Sequence, residues 1–181
     1  GTPIQSAMAV VDTNNGAVLA MIGGRDYTVR RGLNRATQMR RQPGSALKPL
    51  AVYGPALELG YTTASVLLDE KTSFGGYTPR NAGDRYYGLV TMRTAIRNSL
   101  NTTAVRLLEE IGLDASIQYL NKMGIPTRNS DRNLSLALGS MTYGVTPVEL
   151  AAAYVPYANG GIYHQPYCVE RIETVDGSNI Y

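Results

Sequence analysis

Cysteine and histidine are almost missing from this sequence, which has one of each, Cys168 and His164. A disulfide framework, a Cys-x-x-Cys redox pair and a zinc site built from His and Cys alone are therefore excluded. A Ser-His-Asp triad would have to use His164, so nucleophilic chemistry is expected to draw its base from Lys, Asp or Glu. Long apolar runs are missing as well. The longest nearly uncharged apolar segment, residues 150–158, falls far short of the ~20 residues that span a bilayer. The amino terminus has no basic region followed by an apolar run. There is no repeat and no low-complexity tract. With 44% hydrophobic and 17% charged residues, disordered, coiled-coil and collagen-like classes fail on composition.

What is present fits about one domain, since 181 residues can bury a sizeable core without staples. The net charge of +3 is small. Its densest basic stretch, residues 25–41, holds six arginines but only Tyr27 among aromatics and no nucleic-acid module signature, so nucleic acid is not an expected partner.

Residues 7–11 and 17–22 are β-prone runs around Asp12-Thr13-Asn14-Asn15-Gly16, and the Asn-Gly pair predicts a β-hairpin. Pro43-Gly44-Ser45 opens a helix expected to reach about Leu59, kinked at Pro55. Residues 62–88, rich in Gly and poor in periodicity, read as a long surface excursion of the kind that borders sites. Helices are expected over 92–97, over 102–111 with Gly112 as stop, and over 115–123 with Asp114 as N-cap. Thr146-Pro147-Val148-Glu149 is a capping box with proline at the first helical position, opening a helix that Asn159-Gly160-Gly161 should end. Residues 167–175 alternate as a strand that turns at Asp176-Gly177. A hairpin begun and stopped at Tyr181 implies that the parent chain continues.

Ser45-Ala46-Leu47-Lys48 sets a hydroxyl and an amine three residues apart at a helix start, on one face. A lysine acts as base only when desolvated or placed beside other cations. Alone, the pattern is better read as an N-cap serine followed by a surface lysine, since Ser-x-x-Lys occurs by chance in many proteins. Ser99-Leu100-Asn101 is a Ser-x-Asn at a break between helices, where Asn101 is also placed to cap a helix beginning at Thr102. The combination changes the weighing, because Ser-x-x-Lys followed by Ser-x-Asn is the order used by active-site-serine penicillin-binding enzymes, whose third element is Lys-Thr-Gly on a later strand.

The stretches Asn34-Arg35-Ala36-Thr37, Arg41-Gln42-Pro43-Gly44-Ser45-Ala46-Leu47-Lys48-Pro49, Pro79-Arg80-Asn81 and Arg97-Asn98-Ser99-Leu100-Asn101 together resemble the transpeptidase domain of bifunctional, class A penicillin-binding proteins. So do Ala137-Leu138-Gly139, Gly144-Val145-Thr146-Pro147-Val148-Glu149-Leu150-Ala151 and Ala158-Asn159-Gly160-Gly161. The resemblance implies an α+β fold, a helical subdomain plus an antiparallel sheet, with residues 1–181 as the amino-terminal portion of one transpeptidase domain, cut before the Lys-Thr-Gly strand. It implies that Ser45 is the acyl-accepting nucleophile, that Lys48 takes its proton, that Ser99 shuttles a proton to the leaving amine, and that Asn101 holds Lys48 or the donor peptide. The Ser45 N–H would be one oxyanion-hole donor and the missing strand would supply the other.

The implied activity is peptidoglycan DD-transpeptidation, cross-linking D-Ala-D-Ala stem peptides through an acyl-serine, with β-lactams acylating the same residue and no cofactor or metal. The family further implies a parent anchored on the outer side of the bacterial cytoplasmic membrane, with a glycosyltransferase domain upstream. Rivals are a DD-carboxypeptidase or other Ser-Lys hydrolase, and a non-catalytic peptidoglycan- or β-lactam-binding module. Lys71-Thr72-Ser73 is read as a decoy, since it ends in Ser, precedes Ser99 and lacks a strand pattern. Glu149 is read as a cap rather than a deacylating base, His164 and Cys168 as structural or exposed, and Tyr86, Tyr87 and Tyr143 as candidates to line a cleft.

Overall fold

Local signals set the elements of this computed structural model, which describes residues 3–180. In chain order they are strands β1 (Met8–Val11) and β2 (Val18–Ile22), helix α1 (Gly54–Glu58), strands β3 (Val66–Asp69) and β4 (Gly88–Thr91), and helices α2 (Met92–Arg97), α3 (Asn101–Ile111), α4 (Leu113–Lys122) and α5 (Pro147–Tyr154). The architecture is α+β, with two separate two-stranded antiparallel sheets among the described residues. The chain divides into two compact units, residues 3–40 with 146–180, and Arg41–Val145.

In the first unit β1 and β2 pair antiparallel from Met8 opposite Ile22 to Val11 opposite Val18, with a bulge between Val10 and Val11. Gly16 takes φ +83° in the connecting turn, a conformation that costs other residues a Cβ clash. Helix α5 packs on β1. Its start is the expected reciprocal cap: Thr146 Oγ1 accepts the Glu149 amide at 3.2 Å and Glu149 Oε2 accepts the Thr146 amide at 2.9 Å. Arg40 pairs with the other carboxylate oxygen of Glu149.

The helix stops earlier than expected. Pro156 has no N–H to extend it, and the chain tightens into a 3₁₀ turn over Val155–Tyr157. Asn159 instead holds the hairpin turn, its Nδ2 donating to Thr13 O at 2.9 Å. The strand expected over 167–175 reduces to isolated bridges, Ala17 with Tyr167 and Glu173 with Asn179. A short run with one neighbour at each end gains too few ladder bonds to stay extended. Tyr181, the last residue of that expected hairpin, lies outside the described residues.

The second unit holds a core of Leu47, Leu50, Val52, Met92, Leu107, Leu108, Leu120, Ile125 and Leu136, all without exposure. Its first helix is not uniform. Gly44–Leu47 is 3₁₀, Pro49–Tyr53 is a π turn, and only then does α1 follow. The Gly54 N–H reaches Pro49 O, five residues back. Widening by one residue just before Pro55 accommodates the ring that would otherwise meet the preceding turn, so the expected kink is absorbed as a π turn.

Strand β3 falls inside the expected surface excursion. Its four residues pair with β4 from Val66 opposite Thr91 to Asp69 opposite Gly88. Helices α3 and α4 are separated by Gly112 alone, at φ +85°. Gly112 rather than Asp114 is the N-cap of α4, and Asp114 lies in its first turn, paired with Arg132.

Candidate active site

The segment leading to Ser45 is held from 139–145 by contacts that require small residues. Arg41 and Val145 exchange both backbone hydrogen bonds at 2.9 Å. The Gln42 side chain grips Met141 from both sides, accepting its N–H at 2.7 Å and donating to its carbonyl. A Cβ on Gly139 would lie 2.1 Å from the Gly44 carbonyl oxygen, and one on Gly144 would lie 2.2 Å from that of Arg41. The glycines of Ala137-Leu138-Gly139 and of Gly144-Val145 thus permit backbone-to-backbone contact under the segment that leads to Ser45. Gly139→Ala is expected to cost more stability than Gly60→Ala. Both have positive φ, but nothing lies within 4 Å of a Cβ at Gly60, leaving only the backbone penalty of about 1–2 kcal/mol there. Paired urea titrations check this; equal losses would mean that the close approach at Gly139 is easily relieved.

Ser45 is exposed within the 3₁₀ turn, and its carbonyl accepts the Lys48 N–H. Both side chains therefore leave one tight turn. Lys48 is buried, at 2% exposure. Its Nζ donates to Asn101 Oδ1 at 2.6 Å, to Ser99 O at 2.6 Å and to Ser99 Oγ at 3.1 Å. Burial makes the charged form costly and lowers the amine from 10.5 to about 8.

The Ser99 carbonyl points at Lys48 because of how α2 ends. The Leu100 N–H bonds to Ala95 O and the Ser99 N–H to Ile96 O, both at 3.0 Å. This is a Schellman termination, with Ser99 at φ +50° where glycine is usual. Leu100, 4% exposed, plugs the core behind it.

Asn101 is the first residue of α3 rather than the cap of a helix at Thr102. Its Oδ1 serves Lys48, and its Nδ2 donates to Arg80 O at 2.6 Å. The capping falls to Asn81, a residue to which the sequence alone assigns no role. Asn81 Oδ1 accepts the amides of Asn101 at 2.7 Å and Thr102 at 3.3 Å. Its Nδ2 donates to Asp69 Oδ1 at 2.7 Å and to Arg85 O at 2.9 Å. Asp69 is fully buried and also accepts from the Thr102 hydroxyl and, at 2.9 Å, from the Tyr87 amide. The signal for Asn81 is the Pro-Arg-Asn motif alone, since no local periodicity links it to Asn101.

Lys48, Ser99 and Asn101 are thus in direct contact, with Ser45 one turn back along the same helix. Lys71-Thr72-Ser73 lies in irregular chain after β3, with Lys71 3.7 Å from Asp84. Tyr87 and Tyr143 are exposed, and the Arg128 guanidinium lies 5.2 Å over the Tyr143 ring. Tyr86 donates its hydroxyl to Asp84 at 2.7 Å. His164 belongs to the other unit, beside Gly16. Among the described residues no group of three His, Cys, Asp or Glu could hold a metal, and no helix is long and apolar enough to cross a membrane.

Comparison with known proteins gives one consistent result. The family model described as the penicillin binding protein transpeptidase domain matches residues 6–180. Penicillin-binding protein 1F of Bacillus subtilis is 45% identical over 177 residues, covering 97% of this chain and 24% of that protein. Penicillin-binding protein 1A of Pseudomonas aeruginosa is 38% identical over 183 residues, 98% of this chain and 22% of that one. Among solved structures, penicillin-binding protein 1A from Haemophilus influenzae superposes with a TM-score of 0.83 at 34% identity, covering 98% of this chain and 27% of its own. The PonA1 protein from Mycobacterium tuberculosis, solved with penicillin V, gives 0.86 at 26% identity, covering 99% of this chain and 50% of its own. The chain spans about a quarter of the length of these curated relatives.

Proposed function

Because the chain belongs to the penicillin-binding protein transpeptidase family, we propose that it forms the Ser-x-x-Lys and Ser-x-Asn part of a peptidoglycan DD-transpeptidase, with Ser45, Lys48, Ser99 and Asn101 as its catalytic residues. Residues 1–181 would be the amino-terminal portion of one transpeptidase domain, since the sequence contains no Lys-Thr-Gly. Its place would be the outer side of the bacterial cytoplasmic membrane, in a membrane-anchored parent that also carries a glycosyltransferase domain.

The observation that carries this reading is the buried Lys48 amine, brought to about 8 and fixed by Ser99 O and Asn101 Oδ1 at 2.6 Å each. A neutral amine has two N–H groups, and these two acceptors occupy both. In that neutral form the lone pair faces the Ser99 hydroxyl, 3.1 Å away, and can take a proton. In acylation Ser45 Oγ bonds to the carbonyl carbon of the penultimate D-Ala while its proton passes to Lys48 Nζ. Collapse of the tetrahedral intermediate breaks the C–N bond. The leaving D-Ala nitrogen receives a proton from Ser99 Oγ, which Lys48, 3.1 Å away, replaces. An amine of a neighbouring stem then attacks the Ser45 ester and restores the hydroxyl by the reverse proton route. A β-lactam carbonyl enters by the first step.

The test supplies the complete domain with a D-Ala-D-Ala donor peptide and an amine acceptor. Expected are D-Ala release and a cross-linked product in comparable amounts. Release without cross-linking would make the protein a DD-carboxypeptidase, and neither product, with penicillin still bound, would make it a binding module. The 181-residue chain alone should react more slowly by roughly 10²- to 10³-fold, the cost of one missing oxyanion donor.

A further inference from the structure

Helix α3 starts without a side-chain cap, because its N-cap position is Leu100. Buried first-turn amides without partners would be costly. The partner arrives from twenty residues away, in the Asn81 amide oxygen that takes both the Asn101 and Thr102 N–H groups. Asn81 cannot turn over, since its Nδ2 faces two acceptors, Asp69 Oδ1 and Arg85 O, and its Oδ1 faces two donors. Asp69 at the end of β3 fixes it from behind.

A carboxylate with no exposure is an expensive way to fill space, and an apolar side chain would pack there at lower cost. What Asp69 adds is direction. It accepts from the Asn81 amide, the Thr102 hydroxyl and the Tyr87 backbone at once, and it puts negative charge behind the positive end of α3. Asn101 carries the Oδ1 that holds Lys48 Nζ, so the orientation set by Asp69 and Asn81 is handed to the amine through one residue.

We propose that Asp69 and Asn81 are positioning residues of the acyl-transfer site, pinning the first turn of α3 so that Asn101 holds the Lys48 amine in its reactive orientation. This rests on the roles of Ser45 and Lys48 given above. Neither Asp69 nor Asn81 needs to touch substrate, so their loss acts on the rate of the chemical step and not on the first, non-covalent encounter with a β-lactam.

The experiment follows acylation of the complete domain by a fluorescent penicillin in stopped flow. It separates the non-covalent dissociation constant from the limiting acylation rate, with reactive sites titrated, and identifies the labelled residue of the parent by mass spectrometry. Asn81→Ala should lower the limiting rate by ~10²-fold, the scale of a misplaced catalytic group, and leave the dissociation constant nearly unchanged. Asn81→Asp keeps the shape and the acceptor for α3 but loses the donor to Asp69, and should also slow the limiting rate. It decides the matter if the alanine variant does not fold. A limiting rate per titrated site equal to the parent's, with only the melting temperature lowered, would show that Asn81 serves stability alone and would overturn the proposal. A parent with no adduct on Ser45 would instead overturn the assignment beneath it, and this inference with it.

Discussion

Ser45→Ala in the complete domain is expected to remove the covalent penicillin adduct altogether, while Ser99→Ala slows its formation and leaves the adduct on residue 45. Ser45 is exposed in a tight turn whose lead-in is clamped by Gln42, Gly139 and Gly144, so its hydroxyl is accessible and its backbone is fixed. Ser99 is turned toward Lys48 and held there by a helix ending. Loss of an acyl-accepting serine typically costs on the order of 10⁶ in turnover. Mass spectrometry of the digested, labelled protein reads the outcome. An adduct on Ser99 or Ser73 in the parent would reverse the roles.

The second large effect concerns Lys48. Removing its amine as Lys48→Ala should slow acylation by ~10²- to 10⁴-fold, the usual worth of a positioned proton acceptor. In the parent the acylation rate should rise with pH and level off above about 8, because only the neutral amine can take the Ser45 proton. The variant should lack that rise. A parent whose rate is flat from pH 6 to 9 would remove Lys48 as the titrating base.

Stability carries the same signature with a definite sign. The folded chain releases the Lys48 proton near 8, against 10.5 for the ordinary amine, so between those values the unfolded chain binds more protons and stability rises with pH. Buried Tyr53 and half-buried Tyr154, both pushed up to about 12 from 10.0, act oppositely above pH 10. The Lys48 contribution is therefore visible between about 8 and 10.

Features written into neighbouring residues are legible in the sequence. The Asn-Gly hairpin and the reciprocal cap of Thr146 and Glu149 each depend on a few adjacent side chains, and both stand where the residues place them. The Ser45 to Lys48 spacing is legible too, although only its pairing with Ser99-Leu100-Asn101 raises it above chance. Less visible is whatever depends on distant partners. Asn81 looks like any loop asparagine until α3 is seen to begin at an uncapped Leu100. Strand β3 is four residues long and becomes a strand only by pairing with β4. The π turn answers Pro55 with a change of helix pitch that no periodicity rule anticipates, and the bridges at Tyr167 and Glu173 fall short of the strand that alternation suggests, because alternation says nothing about neighbours.

The Schellman turn at Ser99 has a practical consequence for anyone engineering this scaffold. A search for thermostabilising substitutions would favour glycine there, since a side chain at φ +50° carries a penalty of about 1–2 kcal/mol. That gain would come from deleting the hydroxyl that sits 3.1 Å from the Lys48 amine. Under the proposed mechanism, position 99 is a point where robustness and turnover pull in opposite directions, and stabilising changes are better sought at sites such as the exposed Leu59 or Leu89.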